Sequence, residues 1–165
     1  MSALIRNGRV EADDYLDLGL DDPLPDAAAR VIVPLERWAR DGAALETGSR
    51  TVGIRVPNTA DIETIWSQLA TRPLLALEFP AFGDGRAYSQ ARLLRDRYGY
   101  RGEIRAIGQA VVRDQLQGMS RVGINAFALR ADQNPETCLD GLSDFDVAYQ
   151  PATDILPIVN KLRLA

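Results

Sequence analysis

The sequence of 165 residues contains no histidine, one cysteine (Cys138) and one lysine (Lys161). Zinc sites, iron–sulfur clusters and haem are held by histidine or cysteine ligands, so we expect none of these groups. A histidine-based catalytic triad is excluded, and a Schiff-base or phosphate-loop lysine is disfavoured. Carboxylates and carbonyls could hold a hard cation such as magnesium, but we predict no metal site.

Long apolar runs are also absent, so no segment is predicted to span a membrane. The first ten residues, MSALIRNGRV, lack the apolar core of a signal peptide. One cysteine cannot form an intrachain disulfide, which is typical of a reducing compartment, and we expect a cytoplasmic protein. The net charge of −4 argues against non-specific binding of nucleic acid, since such binding normally uses a basic surface.

The chain divides by composition near position 30. Residues 1–29 are rich in aspartate and show little periodicity. We predict that they form a mobile or loosely packed acidic arm, with a short strand near residues 5–10. Residues 30–165 are predicted to form one α/β domain, because a chain of this length is typical of a single domain.

Six short apolar segments, each closed by a breaking residue, predict strands: RVIVP, TVGIRVP, LLALEFP, GEIRAIG, NAFALR and FDVAYQP. The first three end at Pro34, Pro57 and Pro80, which recur every 23 residues. That spacing is typical of one strand and one helix joined by short loops.

The segments between these strands have helical periodicity. We predict helices in NTADIETIWSQLA with Asn58 or Thr59 as the N-cap, in RAYSQARLLRDRYG, in QAVVRDQLQGMSRVG, in NPETCLDG after Asn134, and in the last residues, ATDILPIVNKLRLA. Trp38 and Trp66 fall on predicted helices and are expected to pack in the core. Alternating strands and helices predict an α/β fold with about six units and a mostly parallel sheet. The sheet is predicted to be either open and doubly wound or partly barrel-like.

Charged residues occur near the ends of four successive strands: Arg55, Glu78, Arg105 and Arg130. The carboxyl ends of parallel strands meet at one edge, where α/β proteins bind ligands. One interpretation is an arginine-lined pocket for an oxyanion, with Glu78 as a partner or an acid/base. The other is a structural ion pair between Glu78 and either Arg105 or Arg55, with Arg130 marking the strand exit.

The loop FPAFGDGRAYSQ joins a predicted strand to a predicted helix. Gly83 and Gly85 would allow close approach of the backbone, and Arg86 and Ser89 would supply polar groups at an anion-attracting helix start. The loop matches neither a Walker nor a dinucleotide fingerprint, and Asp84 would repel a phosphate unless it caps the helix. A capped turn without a ligand is the alternative.

Two further polar features have simpler interpretations. Arg113 and Asp114 could reach the same edge of the sheet, but surface charges on a helix explain them as well. Cys138 is expected to be structural, because a nucleophilic cysteine needs an activating base and the chain has no histidine.

Residues 77–129 contain the stretches FPAFGDGRAYSQARLLR, GEIRAIG, RDQL and GINAFAL. These resemble the bacterial family catalogued as domain of unknown function 934, and the similarity is expected to cover residues 30–150. Members of that family are often encoded beside the siroheme sulfite reductase, and some are labelled oxidoreductases. The resemblance therefore implies a place in assimilatory sulfate reduction and sulfite reductase as a partner, without implying a reaction.

Three hypotheses follow. The first is an accessory protein that binds sulfite reductase or a small oxyanion without catalysis. The second is an enzyme acting on a small oxyanion or phosphorylated metabolite, with Glu78 or Asp84 as the acid/base and Arg55, Arg86 and Arg105 holding the anion. The third is a flavin-binding oxidoreductase, because open parallel sheets can hold flavin mononucleotide at strand-end loops.

Overall fold

The computed structural model describes residues 3–26, 28–143 and 152–153. An eight-stranded, mostly parallel sheet curls into a half-barrel. Its strands are β1 (Leu4–Arg6), β2 (Arg9–Glu11), β3 (Leu16–Asp17), β4 (Arg30–Pro34), β5 (Thr51–Val56), β6 (Leu74–Glu78), β7 (Glu103–Ile107) and β8 (Ala126–Ala128). The helices of the described residues are α1 (Leu35–Leu45), α2 (Ile62–Leu69), α3 (Arg86–Arg92), α4 (Arg113–Arg121) and α5 (Pro135–Gly141), and a π-helical turn (Leu93–Arg97) extends α3.

The strand order is β2-β1-β8-β7-β6-β5-β4-β3. Strands β3 to β8 are parallel, whereas β1 is antiparallel to both β8 and β2. Each crossover from β4 to β8 joins neighbouring strands, so right-handed connections place α1 to α4 on one face. The prediction of a mostly parallel α/β fold is confirmed, and of the two predicted forms the barrel-like one is observed.

The helix boundaries follow local chemistry. The N-cap of α2 is Asp61, whose carboxylate accepts a hydrogen bond from the amide of Glu63, so the prediction of Asn58 or Thr59 was wrong. Asn134 caps α5 as predicted, accepting from the amide of Thr137. Gly99 and Gly123 follow the helical segments with positive φ, as expected of a residue without a Cβ.

The two faces of the sheet differ in chemistry. Residues facing the helices are apolar and buried, and the main core includes Ile54, Leu75, Leu77, Ile104 and Phe127. Positions between them face away from the helices and form the inner face, where a smaller apolar cluster contains Ile32, Leu74 and Ala76. This inner face also carries the charged strand residues.

Strands within residues 4–17 join the sheet, whereas the sequence predicts a mobile or loosely packed arm over residues 1–29. Strands β1 and β2 form a hairpin, which pairs with β8 through Leu4 and Ala128. Strand β3 pairs with β4 through Leu16 and Val31. Burial of Leu4 and Ile5 stabilises the hairpin, as both are 0% exposed.

The predicted strand FDVAYQP and the predicted helix at the end of the chain lie outside the described residues, except for positions 152–153. In the described part of the chain, no helix has the length and apolar character needed to cross a bilayer.

Candidate functional site

A row of arginines crosses the inner face. Arg55 on β5 lies beside Ala76 on β6, which lies beside Arg105 on β7. Arg105 in turn pairs in register with Ala126 on β8, and Ala126 pairs with Arg6 on β1. Because direct cross-strand neighbours share a face, three arginines alternate with two alanines. The small alanine side chains leave room for the guanidinium groups between them.

Residues 13–17, the acidic segment, lie against this row. Asp14 contacts Arg6 at 3.0 Å, Asp13 contacts Arg105 at 2.7 Å, and Asp17 contacts Arg55 at 3.1 Å. Each arginine of the row therefore has an aspartate from the amino-terminal part of the chain. The acidic residues predicted to form a loose arm instead neutralise the inner face.

Tyr15 places an aromatic ring between these ion pairs. The ring packs against the apolar cluster of the inner face. Its centroid lies 5.3 Å from the guanidinium carbon of Arg105 and 5.8 Å from that of Arg30, within cation–π range. The acidic segment is thus held by apolar contact as well as by charge.

Arg105 is the most deeply buried charge of the row. Its side chain is 1% exposed, with Nε donating to Glu103 at 2.8 Å and Nη1 donating to Asp13 at 2.7 Å. Its Nη2 is buried and has no hydrogen-bond partner among the described residues. A buried donor without an acceptor costs about 1–3 kcal/mol, so an acceptor oxygen beside this nitrogen would be stabilising.

A cavity of about 560 Å³ opens beside Arg105 at the carboxyl edge of β7 and β8. Apolar walls come from Ile32, Ile107 and Leu129, and polar groups come from the acidic segment and from the two strand-end loops, including Asp13, Asp17, Gly108, Gln109, Arg130 and Asp132. Parallel sheets bind ligands at this edge, so the cavity is the candidate ligand site.

Charges at the mouth of the cavity are also paired. Arg130 donates to both carboxylate oxygens of Asp132, at 2.6 and 2.7 Å. These hydrogen bonds lower the pKa of Asp132 to about 2. Burial raises the pKa of Asp17, opposed by the charge of Arg55. Since every arginine here has a carboxylate, an incoming anion must compete with a group of the protein.

A second cavity, of about 420 Å³, lies between α1 and α2. It is lined by Leu35, Pro57 and Ile65 together with Arg55 and Glu78. Nε of Arg55 lies 3.8 Å from Oε1 of Glu78. The predicted ion pair of Glu78 is therefore made with Arg55, and Arg105 pairs with Asp13 and Glu103 instead.

The loop around Asp84 forms its own local cluster. Asp84 accepts hydrogen bonds from the backbone amide and the guanidinium of Arg86, and from the side chain of Asn58 at 2.7 Å. The hydrogen bonds from Arg86 hold the pKa of Asp84 well below its usual range. The N-cap of α3 is Gly85, so Asp84 supports the turn from the preceding position.

The predicted site residues therefore occupy three places. Arg105 and Arg130 line the first cavity, whereas Arg55 and Glu78 line the second. The loop residues Gly83, Asp84, Gly85, Arg86 and Ser89 line neither of these two cavities. Cys138 is buried, and burial raises the pKa of its thiol, which suits a structural role.

The acidic segment and Gly108 were not predicted from the sequence as parts of the candidate site. Gly108 has φ +112, and a Cβ there would lie 2.6 Å from the carbonyl oxygen of Phe79, so glycine is required for this turn. The spacing of Asp13 and Asp17 around an aromatic residue was the available signal for a segment facing basic strands. No local pattern, however, indicates which strands it contacts.

These features define a half-barrel α/β protein with a candidate ligand site at the carboxyl edge of its parallel strands. A family model described as "Bacterial protein of unknown function (DUF934)" matches residues 53–158, and the chain belongs to this family. The match confirms the resemblance found in the sequence. No curated protein matches the chain.

Proposed function

We propose that the protein is an accessory protein of assimilatory sulfate reduction that binds a small oxyanion in the cavity beside Arg105. The observation that carries the proposal is the buried guanidinium of Arg105, which lines a cavity at the ligand-binding edge and has one donor without an acceptor. An oxyanion offers the oxygen acceptors that a guanidinium fork accommodates.

The chemistry of the described residues favours binding over catalysis. A general base needs a pKa near the working pH. Hydrogen bonds from Arg86 hold the pKa of Asp84 far below that range. The thiol of Cys138 is buried and its pKa is raised, which disfavours the thiolate needed for nucleophilic attack. Asp132 is held ionised by Arg130 in the same way as Asp84.

The pathway rests on the family resemblance. Members of the family that the chain resembles are often encoded beside sulfite reductase, so we propose that enzyme as the protein partner. The substrates of that pathway are sulfur oxyanions, which match the chemistry of Arg105.

The binding part of the proposal is tested by calorimetric titration with sulfite, sulfate and phosphate, each against chloride at equal ionic strength. We expect saturable binding of at least one oxyanion, weakened at least tenfold by Arg130→Ala, which removes a cation from the cavity lining. Arg86→Ala removes an exposed arginine outside the cavity and should leave binding unchanged. Absence of saturable binding to all three anions contradicts the proposal.

The partner is tested separately. Tagged protein and purified sulfite reductase should co-elute, or give a concentration-dependent signal by biolayer interferometry. If the two proteins neither co-elute nor give an interferometry signal at tens of micromolar, the accessory role is contradicted. Oxyanion binding is then judged by calorimetry alone.

An enzyme is the second candidate, and one observation favours it. Glu78 is partly exposed in the second cavity, beside Arg55, where a carboxylate could serve as an acid/base. Under this alternative Glu78→Gln abolishes growth on sulfate as the sole sulfur source. Full growth of that strain contradicts catalysis by Glu78.

A further inference from the structure

We infer that the carboxylate of Asp13 occupies the position of the ligand, and that an oxyanion with two acceptor oxygens binds by exchanging with it at Arg105. This inference rests on the proposed function, because it concerns how the same cavity takes its anion. It adds the chemical class of the ligand, a bidentate oxyanion, and the group that the ligand displaces.

The geometry at Arg105 is that of a guanidinium that is only partly satisfied. Nη1 donates to Oδ2 of Asp13 at 2.7 Å, and Nε donates to Glu103. The adjacent Nη2 is buried and donates to no described residue. An oxyanion with two free oxygens could accept from Nη1 and Nη2 together, in the parallel arrangement that guanidinium groups favour.

The carboxylate of Asp13 can move away from Arg105. Its side chain is 29% exposed, although its partner Arg105 is 1% exposed. Asp13 also lines the cavity, so its departure enlarges the space next to Arg105. Its other described hydrogen bond is local, because Oδ1 accepts from the amide of Tyr15 at 3.1 Å.

The rest of the acidic segment stays anchored when Asp13 moves. Asp14 forms ion pairs with both Arg6 and Arg30, and Asp17 forms an ion pair with Arg55. Exchange at Arg105 therefore requires a change at one residue rather than release of the whole segment. Free anion and Asp13 compete for one site, so the segment lowers the apparent affinity for the ligand.

Calorimetry with inorganic sulfate, against chloride at equal ionic strength, tests the inference with two matched variants. Asp13→Asn removes the competing charge and should tighten sulfate binding at least tenfold. Asp21→Asn removes the same charge from an exposed residue outside the cavity lining, which pairs with Arg40, and should stay within twofold of the unchanged protein. Sulfate binding by Asp13→Asn alone also supports the inference, provided that the unchanged protein binds sulfite or phosphate.

Equal affinity of the unchanged protein and Asp13→Asn overturns the inference while leaving oxyanion binding in place. If neither the unchanged protein nor either variant binds sulfate, the inference is overturned. If none of them binds sulfite or phosphate either, the proposed function is overturned as well.

A measurement on the unchanged protein covers the case in which Asp13→Asn does not fold. Sulfate that displaces Asp13 removes the acceptor of the Tyr15 amide, so hydrogen exchange of that amide should accelerate at least threefold at saturating sulfate. The amide of Glu63, whose acceptor Asp61 is distant in sequence from the acidic segment, is the internal control. Unchanged or slower exchange at Tyr15 overturns the inference.

Discussion

Arg105 and Arg86 were predicted as parts of one anion site, yet they lie in contrasting surroundings. Arg105 is buried on the inner face and pairs with Asp13, which is 92 residues away in sequence. Arg86 is exposed and pairs with Asp84, two residues away. The first pair ties the amino-terminal segment to the centre of the sheet, whereas the second only shapes a turn. The same residue type therefore has a global role in one region and a local one in the other.

The largest expected effect on stability comes from removing Arg105, and removal of Arg86 is the comparison. Arg105→Met removes the ion pairs with Asp13 and Glu103, although Glu103 keeps its contact with Arg6 at 3.0 Å. We expect a loss of about 3 kcal/mol in the free energy of unfolding. Arg86→Met breaks an exposed pair, which solvent screens, and should cost much less than Arg105→Met. Urea unfolding of both variants measures the difference. Equal losses would mean that burial does not separate the two arginines.

Two glycines extend the comparison to the backbone. Gly108→Ala places a Cβ against the carbonyl oxygen of Phe79 at a positive φ, and should destabilise the protein by about 2 kcal/mol. Gly83→Ala meets no atom within 4 Å, and should change stability by less than about 0.5 kcal/mol. Thermal and urea unfolding provide the measurement. A neutral Gly108→Ala would show that the turn after β7 can relax.

Tyr15 tests how far the inner face depends on aromatic contact. Tyr15→Leu keeps an apolar side chain but removes the ring near Arg30 and Arg105. We expect a loss of about 1 kcal/mol in unfolding free energy. Tyr15→Phe retains the ring and should behave like the unchanged protein. If Leu and Phe are equivalent, the ring acts only through apolar burial.

The smallest effect is a pH dependence in the exposed loop. The pKa of Asp84 is lower in the folded protein than its unfolded value of about 3.9. Its contribution to stability is therefore present above that unfolded value and is lost as pH falls towards the folded value. Asp84→Asn should make stability less dependent on pH below about 4. Carbon-13 titration should show a depressed pKa for Asp84 that rises in Arg86→Met; a titration near 3.9 would contradict the pairing.

The strand and helix order could be predicted because the signals are local. Proline and glycine end the elements, and apolar periodicity distinguishes helix from strand. The one-sided sheet also had a signal, since Arg55 and Arg105 alternate with apolar neighbours instead of interrupting a continuous apolar run. A sheet covered by helices on both faces would not tolerate such charges.

The candidate site was only partly predictable. Arg105 and Arg130 were identified from their place at strand ends, and both line one cavity. Arg55 shares the inner face with Arg105 but lines the second cavity. The glycine loop lines neither cavity, because the path of a loop is not encoded in strand order. The acidic segment could not be assigned because its partners are distant in sequence, so charge alone left it able to face solvent, ligand or sheet.

The pairing of β1 with β8 also has a consequence for biosynthesis. Leu4 is synthesised more than a hundred residues before its partner Ala128. Strands β4 to β8 each pair with a strand made shortly before, so their contacts can form as the chain grows. The hairpin of β1 and β2 can pair with β8 only after almost the entire sheet has been synthesised. The first strand of the sheet to be synthesised is therefore among the last to become native.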